Sequence, residues 1–232
     1  MLNRVGYLLL IHFFLLPLDL FAQSKGLVVV MLGDSTTASS GQKGGDRMTG
    51  ATEIELKKRL EEGTQLTLVN GGVGGDTAAG GLRRFPALLK KHKPDLVSVS
   101  FGLNDTGRLT PEVYEQSIEG IVLLLKKQGV KVLLVTSTPF NNERHGWGKL
   151  GKYAATGLDE YMDANICQRM RNIAKKHKVP LCDLHAHFRE AIKRKPELID
   201  TLLRRDGVHL TPEGNRLAAS HLGPAMHEAL KK

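Results

Sequence analysis

The stretch that most constrains this chain is residues 27–32, an unbroken apolar run rich in valine that stops abruptly at Gly33-Asp34-Ser35. The run lacks polar alternation, so it suits a strand covered on both faces, as in a parallel sheet. In an open sheet of that kind, ligands sit just beyond the carboxyl ends of the strands. Ser35 therefore stands where chemistry is expected. Asp34 and Ser35 also suit a plainer role, turning the chain and capping the next helix. Position alone leaves both readings open.

The rest of the chain alternates strand and helix patterns. A Gly-rich loop at 41–46 precedes a helix-like run at 51–62. A second strand at 66–69 leads into Asn70-Gly-Gly-Val-Gly-Gly-Asp76-Thr77, where so many glycines permit tight turning and close approach of backbone N–H groups to a ligand. Residues 82–91 read as helix, with Pro86 marking a kink or a fresh start. A third strand at 95–101 ends at Gly102-Leu103-Asn104-Asp105. Thr110-Pro111 opens a helix by cap and proline, and Tyr114, Ile118, Ile121 and Leu125 share one of its faces. A fourth strand at 131–136 is followed by a long polar insert, 139–156, which carries Arg144, His145 and Trp147. Leu158, Met162, Ile166, Met170 and Ile173 mark another amphipathic helix. A short fifth strand at 179–183 belongs at a sheet edge, and a last helix begins at Thr211-Pro212 and is expected to break at Gly223-Pro224. This alternation predicts an α/β fold with a five-stranded parallel sheet and helices on both faces. No repeat or linker divides it, so residues 23–232 are expected to form one domain.

Residues 1–22 are set apart from that domain. Arg4 precedes an apolar run, and Leu20-Phe21-Ala22 offers a cleavage site before Gln23, the order of a secretory signal peptide. His12, Pro17 and Asp19 make the run a poor membrane span, which wants about 20 apolar residues. The expected location is secreted or periplasmic, with no stable membrane association once the leader is removed. The net charge of +9 lies wholly beyond the leader, much of it in helix-like segments such as Lys57-Lys58-Arg59 and Lys126-Lys127. Solvated helix faces account for such runs, and attraction to acidic polymers is the alternative. Aromatic residues do not interleave with these charges, so no nucleic-acid partner is expected. Two cysteines, Cys167 and Cys182, lack zinc-site spacing. Export would permit a disulfide between them.

The first three strands end in polar and glycine-rich clusters, and parallel strands bring such ends to one edge. A fourth cluster, Asp206-Gly-Val-His209, precedes the last helix. Together they supply the parts of nucleophilic acyl transfer. Ser35 is the candidate nucleophile, His209 the base that accepts its proton, and Asp206 the carboxylate that orients the imidazole through a turn at Gly207. The N–H groups of Ser35 and Gly72 and the amide of Asn104 are the candidate oxyanion donors.

These four blocks, in this order, resemble those of the SGNH (GDSL-type) hydrolases, and the resemblance spans nearly the whole chain beyond the leader. It implies a flavodoxin-like three-layer α/β/α sandwich and a metal-free serine esterase without a cofactor. By that likeness Ser35 is the nucleophile, Gly72 and Asn104 complete the oxyanion hole, and His209 is the base with Asp206 behind it. The choice of Gly72 among its neighbouring glycines rests on the family spacing. Asp34 and Asp105 are expected to hold loops by hydrogen bonds, and Asp76 to cap the next helix. Arg108 is read as a salt-bridge or solvated residue that could otherwise reach a substrate carboxylate. Trp147 either lines a subsite or covers the core. His185 and His187 alternate after the fifth strand, but no further ligands accompany them, so a surface or hydrogen-bonded pair is expected rather than a metal site. The expected substrate is a small-molecule or oligosaccharide ester with a short acyl group, acetyl foremost. A lysophospholipase or thioesterase is the alternative within the same chemistry. A phosphate-, flavin- or glycan-binding protein is the alternative outside it.

Overall fold

The computed structural model describes residues 26–232, so the leader expected over 1–22 lies outside the described residues. Its five strands are β1 (Leu27–Gly33), β2 (Leu66–Gly72), β3 (Leu96–Ser100), β4 (Lys131–Val135) and β5 (Leu181–Cys182). All pair in parallel, in the order β2-β1-β3-β4-β5. The helices are α1 (Ser35–Ala38), α2 (Met48–Lys57), α3 (Ala78–His92), α4 (Leu103–Arg108), α5 (Pro111–Lys127), α6 (Gly151–Ala154), α7 (Leu158–Met162), α8 (Gln168–His177), α9 (Leu184–Arg194), α10 (Leu198–Leu202) and α11 (Pro212–Lys231).

Successive side chains of a strand face opposite sides of the sheet, and here both sides are covered. Val30, Leu32, Val97, Val99 and Leu134 share a core with Phe85 of α3, Ile118 of α5 and Met170 of α8. Val29, Met31, Leu133 and Val135 face the other way, onto Leu56 of α2, Phe188 of α9 and Leu222 of α11. The result is the three-layer α/β/α sandwich that the four sequence blocks imply. The chain leaves β1 toward β2 on one side and reaches β3 on the other, and the crevice at such a switch point is where ligands bind. Ser35 follows β1 directly, and Asn104 lies just past β3.

Several local expectations give way to tertiary packing. The last helix does not break at Gly223-Pro224, since α11 runs through both residues. Leu222 and Met226 are buried on either side of the proline and hold the helix in line. Gly223 is there for contact, because a Cβ on it would lie 2.6 Å from Glu55 Cβ of α2. Pro86 likewise sits inside an unbroken α3. Cys167 and Cys182 are both free thiols. They belong to the cores on opposite faces of the sheet, which keeps them apart. The basic clusters fall in the last turns of α2, α3, α5 and α8, where the helix dipole favours cations. Helices that connect parallel strands run antiparallel to them, so this charge gathers at the sheet edge away from Ser35.

Candidate active site

Asp34 determines how the chain leaves β1. Its carboxylate accepts the Thr36 N–H at 2.9 Å and the Thr36 hydroxyl at 2.8 Å, capping α1. Burial pushes the Asp34 carboxyl up to about 6, against the pull of the Thr36 bonds. Ser35 is thereby fixed as the first residue of the short helix. No described residue accepts its N–H.

The loop before α11 delivers the other half of the site. It is closed by a bridge between Leu203 and Leu210 and by the Arg204 N–H donating to the His209 carbonyl at 2.7 Å. Gly207, at φ +74°, turns the chain so that Asp206 folds back on His209. The Nδ1 of His209 lies 2.8 Å from Asp206 Oδ2, and its Nε2 lies 2.9 Å from Ser35 Oγ. Asp206 Oδ1 accepts the N–H groups of Val208 and His209, both at 3.0 Å. Burial would raise the Asp206 carboxyl, but the hydrogen bonds from His209 and Val208 outweigh it and hold the group below its ordinary value. With Nδ1–H directed at this carboxylate, Nε2 presents a lone pair to the serine hydroxyl.

Asn104, the second residue of α4, donates its side-chain amide to the Asp76 carbonyl at 2.9 Å, leaving its second amide proton for another acceptor. This bond draws Asn104 to the turn at 73–76 rather than to Gly72. The N–H of Gly72 is already donated to Asn70 Oδ1 at 2.9 Å, which takes it away from the role that the sequence spacing gives it. Gly72 has a packing reason instead: a Cβ there would lie 2.2 Å from the Ala38 nitrogen. Gly75 stands in the adjacent turn. Arg108 holds its carbonyl with a 2.7 Å bond, and no described residue accepts its N–H.

The supporting residues divide less neatly. Asp105 accepts the Ala78 N–H at 2.8 Å and so ties α4 to α3. Burial pushes its carboxyl up to about 7. The cap of α3 is Thr77, not Asp76. Asp76 instead pairs with Arg84 at 2.6 Å, because its side chain turns back along the helix. Trp147 covers the core: its ring packs where a Cβ on Gly107 would lie and stacks edge-on to His145. The insert is pinned to the Asp206 loop by the Asn141 N–H donating to the Gly207 carbonyl at 2.7 Å. His185 and His187 do not form a pair, since His187 stacks on His221 with centroids 3.8 Å apart while His185 is wholly buried. A cavity of about 160 Å³ opens beside Ser35, lined by Ser39, Gln42, Arg204, His209 and Asn215 among others. Gln42, Arg204 and Asn215 carry no local motif that would mark them in sequence.

A serine, an imidazole and a carboxylate linked in line at the carboxyl edge of a parallel sheet define the serine-hydrolase class of site. The chain belongs to the GDSL-like lipase/acylhydrolase family, whose model matches residues 31–217. It is 31% identical over 229 residues to the lipoprotein YqeF of Bacillus subtilis (strain 168), covering 89% of this chain and 94% of that one. It is also 31% identical over 179 residues to an arylesterase of Vibrio mimicus, covering 73% and 78% respectively. Among solved structures, the acetyl xylan esterase AlAXEase superposes with a TM-score of 0.67 at 26% identity, covering 86% of this chain and 99% of that one. The protein is a carboxylic ester hydrolase.

Proposed function

We propose that the protein removes short acyl groups, acetyl foremost, from carbohydrate esters through an acyl-enzyme on Ser35. The observation that carries this reading is the hydrogen-bonded line from Ser35 Oγ through His209 to Asp206. His209 Nε2 takes the hydroxyl proton as the Ser35 oxygen attacks the ester carbonyl carbon. The carbonyl oxygen becomes an oxyanion, facing the N–H groups of Ser35 and Gly75 and the free amide proton of Asn104. Gly75 replaces Gly72 here because its N–H is unengaged. Collapse of the intermediate breaks the ester bond, and His209 returns the proton to the departing alcohol. Water then repeats the sequence, releasing the carboxylic acid and restoring Ser35. Asp206 holds the imidazole in the required tautomer throughout.

The cavity beside Ser35 favours a small polar substrate portion. At about 160 Å³ it is below the roughly 300–1,000 Å³ usual for drug-sized ligands, and Ser39, Gln42, Arg204 and Asn215 place hydroxyl, amide and guanidinium groups in its wall. A cavity of that volume does not hold a long acyl chain. The basic helix ends face away from this cavity and supply no argument for acidic sugars. The charged, apolar and small-residue order of residues 1–22 supports export, and among the described residues no helix is long and apolar enough to cross a membrane.

The test is a substrate panel of acetylated xylo- and chito-oligosaccharides, aryl acetates and lysophospholipids, run with wild type and Ser35→Ala. The expected result is turnover of the acetylated sugars that vanishes in the variant. Preferential cleavage of lysophospholipids would overturn the substrate class, and activity surviving Ser35→Ala would overturn the nucleophile.

A further inference from the structure

A second polar cluster lies away from Ser35, where the helical turn Asp163–Cys167 meets the start of α9. That turn is π-helical, a widened winding that recurs at functional sites. It sets Asp163 and Cys167 toward His185. One carboxylate oxygen of Asp163, the Cys167 sulfur and one ring nitrogen of His185 all lie within 4.8 Å of one another. His185 is 0% exposed, and neither ring nitrogen has a hydrogen-bond partner. Imidazole nitrogens buried without a partner are costly, so the cluster is incomplete as it stands.

We infer that this cluster is a structural site for a zinc-like divalent cation, held by Asp163, Cys167 and His185 with Asp159 as the fourth ligand. The donor set of sulfur, imidazole and carboxylate suits zinc, whose bonds of about 2.0–2.3 Å in a tetrahedron set ligand atoms roughly 3.3–3.8 Å apart. His185 Nε2 already stands 3.7 Å from Asp159 Oδ2 and 3.8 Å from Asp163 Oδ1. The Cys167 sulfur lies within 4.8 Å of the Asp163 and His185 ligand atoms, and it and the Asp159 carboxylate have to draw inward to complete the tetrahedron. The outer groups also fit. Arg171 and Arg189 donate to the Asp163 carboxylate at 2.7 and 3.2 Å, orienting it while leaving it a lone pair. A cavity of about 710 Å³ lined by Asp159, Asp163 and Arg189 gives a path inward. On binding, the Cys167 thiol proton passes to solvent and a metal–sulfur bond forms. The cation would lock the helix carrying Cys167 to α9.

The test uses the whole protein and reads no hydrolysis, so it stands or falls apart from the esterase reading. Cobalt(II) is titrated into chelator-treated protein, and melting is followed with zinc(II) or magnesium(II). A thiolate-to-cobalt absorption saturating at one equivalent is expected, lost in Cys167→Ser and weakened in His185→Gln. Zinc, but not magnesium, is expected to raise the melting temperature of the wild type, a reading that stands even where a variant fails to fold. Absence of the absorption together with no melting shift overturns the site, as does an absorption that survives Cys167→Ser.

Discussion

The Ser35 hydroxyl and the His209 Nε2 lie 2.9 Å apart although 174 positions separate them in sequence. Neither is brought there by a local motif. β1 runs between β2 and β3 and releases Ser35 at their carboxyl ends, while α11 packs along α2 and carries the loop before it over the same edge. The contact is a product of sheet topology.

Removing the hydroxyl tests that contact directly. Ser35→Ala is expected to lower turnover of p-nitrophenyl acetate by a factor on the order of 10⁴–10⁶, since losing the nucleophile disables the acyl-enzyme route as a unit. Thermal melting should stay close to wild type, because Asp34 and Thr36, not Ser35, make the cap of α1. Turnover within tenfold of wild type would reject the serine.

The carboxylate behind the imidazole has a different signature. Asp206→Asn keeps an acceptor for the Val208 and His209 N–H groups, but it no longer fixes Nδ1–H. A loss of roughly 10⁴ in kcat is expected, with KM little changed. In the wild type the Asp206 carboxyl is held low, so it stays ionised through mildly acidic pH. Only a neutral imidazole can take the Ser35 proton, so activity should be at least as high at neutral pH as at mildly acidic pH. A wild-type rate that declines between mildly acidic and neutral pH would contradict the base role.

Asn104 separates oxyanion stabilisation from substrate binding. Its second amide proton is the one side-chain donor proposed for the oxyanion. Asn104→Ala is expected to reduce kcat by about 100–1,000-fold, leaving KM nearly unchanged because the interaction strengthens only as charge develops. A change confined to KM would make Asn104 a binding residue instead.

Much of this was legible in the sequence, for physical reasons that also mark where legibility ended. The valine run at 27–32 suited a strand covered on both faces, and the small polar residues at the strand ends pointed to one edge. Asp206 and His209 were readable because three residues and a glycine suffice to fold one onto the other. Gly72 was not, since choosing among glycines requires knowing which N–H the Asn70 side chain engages. Pro224 looked like a break because local propensity is blind to Leu222 and Met226 anchoring the helix on both sides. The neighbours of His185 were hidden for the same reason: Asp163 and Cys167 come within 4.8 Å of it through a π-helical turn that residue spacing does not announce.

Asp105 makes the last prediction, because its environment opposes its own ionisation. One oxygen accepts the Ala78 N–H, while the other is buried with no partner. Burial lifts its pKa from 3.8 to about 7 in the folded chain, with the charge of Asp34 adding to the effect. A carboxyl raised on folding contributes stability that is fully present below the unfolded value and is lost as pH rises through the folded one. Between about pH 4 and 7 this one group should therefore cost the fold a few kcal/mol, or roughly 5–10 °C in melting temperature for a chain of this size. Asp105→Asn keeps the acceptor for Ala78 and stays neutral at every pH. Its melting temperature should fall less steeply than that of wild type from pH 5 to 8, with a residual slope left by Asp34 and Asp159, which burial raises to about 6 and about 7. Parallel melting curves for the two proteins across that range would show that Asp105 ionises freely, and that the tie between α4 and α3 carries no such strain.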